Sequence, residues 1–289
     1  MGAAEGGTAP ALGYAPEVRV AGAIGEARGY GLRDHLCLAF DAPAEFDRQA
    51  RLFLAEGLER GCRVLYVGES PPSAAELGGA RPGAVRVAPA AATYGAGLVV
   101  DPRGQVREYA AAVAEALADG FTGLRVAAQA TSLVRTPEQR EAFARYEHLI
   151  DRYMTRNPFS ALCGYDRVSL GADAVAEIAC MHPVASPEST PFRLHAGDDA
   201  LAVGGELDRA GLDLFRLAAA RARSADGEAP GSVVLDVSGL DFVDHRGVLL
   251  LAELGRGWGG EIVLRNAPYG TRKLIGLLEP EGVRVEVAA

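Results

Sequence analysis

The chain has 289 residues, 49% of them apolar, enough to fill the cores of two domains. Its formal charge is −9, and neither the part before Phe192 (23 acidic against 18 basic residues) nor the part from Phe192 onward (15 against 11) is net basic, which argues against nucleic acid as a partner. Lys273 is the single lysine, so residues 1–272 cannot hold a lysine-dependent phosphate loop; no apolar run is long enough for a membrane span, so no membrane association is expected; and four cysteines are too few for a disulfide scaffold.

Residues 1–16 are Ala, Gly and Pro with little to bury, and are expected to be disordered. They lack the basic start and leucine-rich centre of a signal peptide, so a cytoplasmic chain with reduced thiols is expected. A strand follows at 35–40, then a helix entered through Asp41 and Pro43 whose apolar positions Phe46, Ala50, Phe53, Leu54 and Leu58 keep helical spacing up to Gly61. Residues 62–67 form a second buried strand. Weak strands are expected at 84–88 and 98–100, a helix at 105–119, and a strand at 123–128. A long helix spans 137–156 with Phe143, Tyr146, Leu149, Ile150 and Tyr153 on one side and His148 on a solvated face. A strand at 159–165 and a helix at 172–181 complete the unit. This alternation is that of an α/β fold, a mostly parallel sheet with helices on both faces.

Three prolines, two serines and a threonine between His182 and Pro191 mark residues 184–191 as a linker. A smaller α/β domain, 192–289, is expected beyond it. Its strands are 200–204, 233–237, 261–265 and 283–287, and its helices 209–223, 247–258 and 271–278. Ser238-Gly239 is expected to break the second strand.

Parallel sheets take ligands beyond the C-terminal ends of their strands. Those ends carry Phe40 and Asp41, Gly68 and Glu69, Gln129 and Thr131, and Tyr165 and Asp166. His35 and Cys37 share a strand face, as do Cys163 and Tyr165, and His182 closes the domain. Three readings stand for this group: buried core, ligand contact, or zinc ligation by two Cys and two His. The zinc reading lacks the close ligand pairs of ordinary zinc sites, and neither a metal nor a cofactor is expected. Cys62 and Cys180 read as small core residues.

His35-x-Cys37 with Phe40, the segment Gly120-Phe121-Thr122-Gly123-Leu124-Arg125-Val126, Cys163-Gly164-Tyr165-Asp166, and His182-Pro183 together resemble the MEDS sensory domain. The resemblance extends over roughly residues 30–183 of a domain set at 17–183. It implies a RecA-like sheet without the phosphate loop, sensing small hydrocarbon derivatives in bacterial signalling. Where that family often has a glutamate, Gln129 stands here. The ligand-binding candidates are His35, Cys37, Phe40, Glu69, Gln129, Thr131, Cys163, Tyr165, Asp166 and His182.

In the second domain, 201–208 (LAVGGELD) and 232–251 (SVVLDVSGLDFVDHRGVLLL) resemble, in order and separation, the two motifs of the STAS domain of anti-sigma-factor antagonists. The resemblance implies protein binding through the tip Asp244, His245, Arg246 and Gly247. His245 stands where the family's phosphorylated serine stands, and no Ser or Thr lies between Leu240 and Gly270, so the phosphorylation switch does not transfer. The reading is of a non-catalytic signalling protein. It binds a small molecule and a regulatory protein, an anti-sigma factor or a histidine-kinase-like switch protein. A small-molecule or metal-dependent enzyme and a structural adaptor are the alternatives.

Overall fold

The computed structural model describes residues 19–68, 76–77, 81–95, 97–227 and 229–286. The tail expected to be disordered, residues 1–16, and the ligand candidate Glu69 lie outside the described residues.

The first domain is built on β1 (Gly22–Ala23), β2 (His35–Phe40), β3 (Arg63–Val67), β4 (Val85–Ala88), β5 (Leu124–Gln129), β6 (Phe159–Asp166) and β7 (Val184–Ala185). They form one sheet in the order β1-β7-β2-β6-β5-β3-β4, parallel throughout. Its helices are α1 (Pro43–Glu59), α2 (Ala90–Tyr94), α3 (Pro102–Ala118), α4 (Pro137–Met154), α5 (Arg167–Leu170) and α6 (Ala172–Ala179). Every residue of β2 is buried, as expected of a central parallel strand covered on both faces. The period of two divides those residues between the faces. Leu36, Leu38 and Phe40 pack with Phe46, Ala50 and Phe53 of α1, while Cys37 and Ala39 join the core under α3, α4 and α6. Gly164 of β6 lets α1 lie directly on the strand, since a Cβ there would sit 2.3 Å from the Phe46 ring.

Local chemistry fixes where α4 begins. Thr136 and Gln139 form a reciprocal capping box: Gln139 N donates to Thr136 Oγ1 (3.2 Å) and Thr136 N donates to Gln139 Oε1 (3.0 Å). Residues 98–100, expected as a strand, are instead irregular, with Leu98 in the left-handed region (φ 53°) between α2 and α3. Residues 184–191, expected as a linker, are packed chain. Val184 and Ala185 form β7 between β1 and β2, Ser186 N donates to Cys37 O (3.0 Å), and Ala39 N donates to Ser186 Oγ (3.0 Å). The prolines stand beside the pairing positions rather than in them, and Ser186 and Ser189 are buried turn residues.

The second domain comprises β8 (Phe192–Ala196), β9 (Leu201–Leu207), α7 (Leu212–Asp226), β10 (Val233–Val243), α8 (His245–Gly257), β11 (Ile262–Arg265), α9 (Tyr269–Leu278) and β12 (Val283–Val285). The sheet order is β12-β11-β10-β9-β8, with only β8 antiparallel to its neighbour. β8 was not anticipated from the sequence, although its FRLHA alternates with Phe192, Leu194 and Ala196 buried. β10 runs on through Ser238-Gly239, where register shifts against β9 absorb the irregularity that was expected to end the strand. Val287 lies outside the described residues.

The two domains share one apolar core. A single cluster of buried residues runs from Cys37 and Phe143 through Phe192, Leu194 and Phe215 to Val283. Helix α4 lies at its centre, with the first sheet on one side and α7 and β8 on another. His148, expected on a solvated face, is therefore buried, its Nε2 3.0 Å from Asp226 Oδ1 of α7. Arg221 of α7, also buried, donates to Glu141 of α4 (2.8 Å) and Glu177 of α6 (2.7 Å). Among the described residues, no helix is long and apolar enough to cross a membrane.

Candidate functional site

His35 opens β2 and points toward α4. Two carboxylates meet its ring: Asp151 Oδ1 lies 3.2 Å from Nδ1, and Glu147 Oε2 lies 3.2 Å from Nε2. Glu147 and Asp151 are four residues apart on α4, hence on one helical face, and both are fully buried. Cys163 of β6 brings its Sγ to 3.7 Å from His35 Nε2. Tyr165, two residues further along the same strand face, donates its hydroxyl to Glu147 Oε1 (2.7 Å). The ring of His182, just past α6, lies 4.1 Å from that of His35.

Burial opposes charge on His35, yet the hydrogen bonds to Asp151 and Glu147 outweigh it and raise its pKa to about 9. Burial likewise opposes ionisation of Glu147, but the two imidazoles and the Tyr165 hydroxyl lower its pKa. Asp151 is lowered too, against the effect of burial, by Arg19 and His35. The result is a buried alternation of His35 cation, two carboxylates and the Arg19 guanidinium, whose formal charges cancel. His182 differs. Burial, and then the charge of His35, lower its pKa to about 4, so it is neutral. Its Nδ1 faces Ile178 O at 3.0 Å, and since a carbonyl only accepts, that nitrogen carries the proton. Nε2 is left as a bare lone pair, 3.6 Å from Glu147 Oε1 and without a hydrogen-bond partner. Burial is the main cause holding the thiols of Cys37 and Cys163 protonated.

Of the sequence candidates, His35, Cys37, Cys163, Tyr165 and His182 lie on the α4 side of the sheet, each at most 6% exposed. Cys37 pairs in register with Cys163. Phe40 is on the opposite face, against α1, because it is an odd number of positions from His35 and Cys37. Gln129, Thr131 and Asp166 form a separate group at the strand ends. Thr131 Oγ1 accepts from Asp166 N (3.0 Å), and Asp166 Oδ1 caps α5 through Val168 N and Ser169 N. Sequence reasoning passed over Glu147, Asp151 and Arg19. A signal was present for the first two: on α4 they fall in helical step with the apolar Phe143, Ile150 and Met154, where a solvated carboxylate does not belong.

Asp151 also reaches the second domain. Its Oδ2 accepts from Ala196 N of β8 (2.7 Å), and Arg19, paired with Asp151, donates from Nη1 to Ala196 O (2.9 Å). Both backbone groups of one β8 residue are therefore held by side chains of the first domain.

At the tip of the second domain, Asp244 Oδ1 accepts from Gly247 N (2.8 Å) and caps α8. His245 and Arg246 are exposed on the first turn, whereas Gly247 is buried. A Cβ at 247 would come within 2.6 Å of Leu207 O and 2.8 Å of Val243 Cγ2. Gly247→Ala is therefore expected to cost about 1–3 kcal/mol in urea denaturation, against changes within about 0.5 kcal/mol for His245→Ala or Arg246→Ala. Equal stability of Gly247→Ala and the parent would show that β9 yields freely at this contact.

This architecture agrees with two family models. Residues 34–183 match the MEDS model, described as MEthanogen/methylotroph, DcmR Sensory domain. The chain belongs to the MEDS family. Residues 192–284 match STAS_2, described as Mlab, STAS domain, so a STAS domain follows the MEDS domain. No curated protein matches the chain. Strands β2 to β6 of the parallel seven-stranded sheet thus lie in the MEDS domain, and the five-stranded sheet carrying the Asp244 cap is the STAS domain. Together the two domains give the chain a signalling role.

Proposed function

We propose that this chain is a non-catalytic bacterial signalling protein whose MEDS domain senses a small molecule and whose STAS domain binds a regulatory protein of the anti-sigma-factor or histidine-kinase-like type. The observation that supports this reading most is the double use of Asp151, which holds His35 through one oxygen and the β8 backbone through the other. A ligand that favours one arrangement of the buried His35, Cys37, Cys163, Tyr165 and His182 group changes what Asp151 offers to β8, and so shifts the STAS domain between states. Gln129, Thr131 and Asp166, at the strand ends, form the approach where a small, weakly polar ligand first makes contact.

Hydrogen–deuterium exchange of the full chain with a panel of short-chain alcohols, diols and halides tests the sensing arm. The expected result is at least one compound that slows exchange both at 129–131 and at β8. A panel without effect on β8 overturns the coupling. For the docking arm, titration against a purified kinase-like anti-sigma protein should show binding that His245→Glu or Arg246→Glu weakens about tenfold, since each places negative charge where the family's phosphate would sit. Unchanged affinity in both variants removes the tip as the docking surface.

A further inference from the structure

We propose that His35, Glu147, Cys163 and His182 bind a single zinc ion in the interior of the MEDS domain. One potential ligand atom from each residue lies within 4.8 Å of all the others, and all four residues are buried. A tetrahedral zinc with bonds of about 2.0–2.3 Å sets its ligand atoms ~3.3–3.8 Å apart. Two separations already fall at or near that range, 3.2 Å from His35 Nε2 to Glu147 Oε2 and 3.7 Å from His35 Nε2 to Cys163 Sγ, while His182 Nε2 lies 3.6 Å from the other Glu147 oxygen, Oε1. Two imidazoles, a thiolate and a carboxylate are a zinc donor set, mixing borderline nitrogen with sulfur and oxygen.

The surrounding groups orient these ligands as they do in zinc sites. Each histidine offers Nε2 and has Nδ1 tied elsewhere, His35 to the Asp151 carboxylate and His182 to the Ile178 carbonyl. Glu147 has one oxygen held by Tyr165 and the other, Oε2, 3.2 Å from His35 Nε2. His182 Nε2, 3.6 Å from Oε1, is without a hydrogen-bond partner. A lone pair facing a carboxylate in a dry interior is unfavourable, and a cation between them satisfies both. Charge balance is preserved as well. Binding displaces two protons, one from His35 Nε2 and one from Cys163 Sγ, so a dication replaces two single positive charges. With all four ligands sealed, the metal enters as the chain folds. The site stands whether or not a small molecule also binds the domain.

The test uses the full chain, unfolded in guanidinium with a phosphine reductant and refolded with zinc(II) or cobalt(II), then desalted. One metal per folded chain is expected by elemental mass spectrometry. X-ray absorption at the zinc edge should show one sulfur at about 2.3 Å and the remaining ligands, nitrogen or oxygen, at about 2.0–2.1 Å. Cobalt should give tetrahedral visible bands and a thiolate charge-transfer band. Cys163→Ser, checked for folding by circular dichroism, should lose that band, while Cys37→Ser, on the adjacent strand and equally buried, should keep it. A folded parent without metal, a zinc shell with no sulfur or with two, or a charge-transfer band lost in Cys37→Ser instead of Cys163→Ser overturns the site. The zinc-edge measurement needs no variant, so misfolding of Cys163→Ser leaves the proposal open to refutation.

Discussion

Asp151→Ala should lower the unfolding free energy of the whole chain by about 3–5 kcal/mol, the range for removing one partner of a buried ion pair. The loss is large because Asp151 serves three partners at once: the His35 ring, the Arg19 guanidinium and the Ala196 N–H. Alanine leaves all three in a region from which water is excluded. Asp151→Asn should lose less, since its amide oxygen still accepts from Ala196 N while the charge is gone. Trp258, the single tryptophan, lies at the end of α8 in the STAS domain. Because the two domains share one core, its fluorescence midpoint in denaturant should move together with the far-ultraviolet circular dichroism. A fluorescence midpoint that stays put while the circular dichroism shifts would mean that the domains unfold independently, and would remove Asp151 as their coupling.

Arg221→Ala is the second large effect, expected at roughly 2–3 kcal/mol. The lower figure reflects the partners: the Arg221 side chain is 5% exposed, but those of Glu141 and Glu177 are 39% and 20% exposed, so water partly replaces what the guanidinium supplied. Arg216, on the same helix, provides the comparison. It pairs with Glu253 where both side chains are about half exposed, and Arg216→Ala should change stability by no more than about 1 kcal/mol. Equal losses from the two substitutions, measured by urea denaturation, would refute the view that burial at the α4–α6–α7 junction gives Arg221 its weight. Arg221→Ala should also widen hydrogen exchange along α7, because Arg221 ties that helix to both α4 and α6.

The candidate site was half legible in the sequence. His35, Cys37, Cys163 and Tyr165 could be paired because strand periodicity fixes which neighbours share a face, and the structure sets both pairs on the α4 side of the sheet. The same rule, applied to Phe40, separates it from them. The carboxylates were harder to see. On a helix as rich in charge as α4, a Glu and an Asp read as solvated until something covers them, and a helix's own periodicity does not reveal that it is covered on two sides. His148 was misread for that reason, since its cover is α7, from the other domain.

The sequence by itself determined the order of most strands and helices, the two-domain α/β plan and the cap at Asp244. These rest on interactions within a few residues: apolar spacing, prolines and glycines at helix ends, and an aspartate three residues before the N–H it accepts. Only the tertiary structure decided that residues 184–191 pack into the first sheet and lead straight into β8. It alone set Glu147 between two histidines from distant elements, and left His182 Nε2 facing a carboxylate without a hydrogen. The physical reason is common to all of these. Burial, pairing and protonation depend on which groups exclude water from one another, and those groups are far apart in the chain.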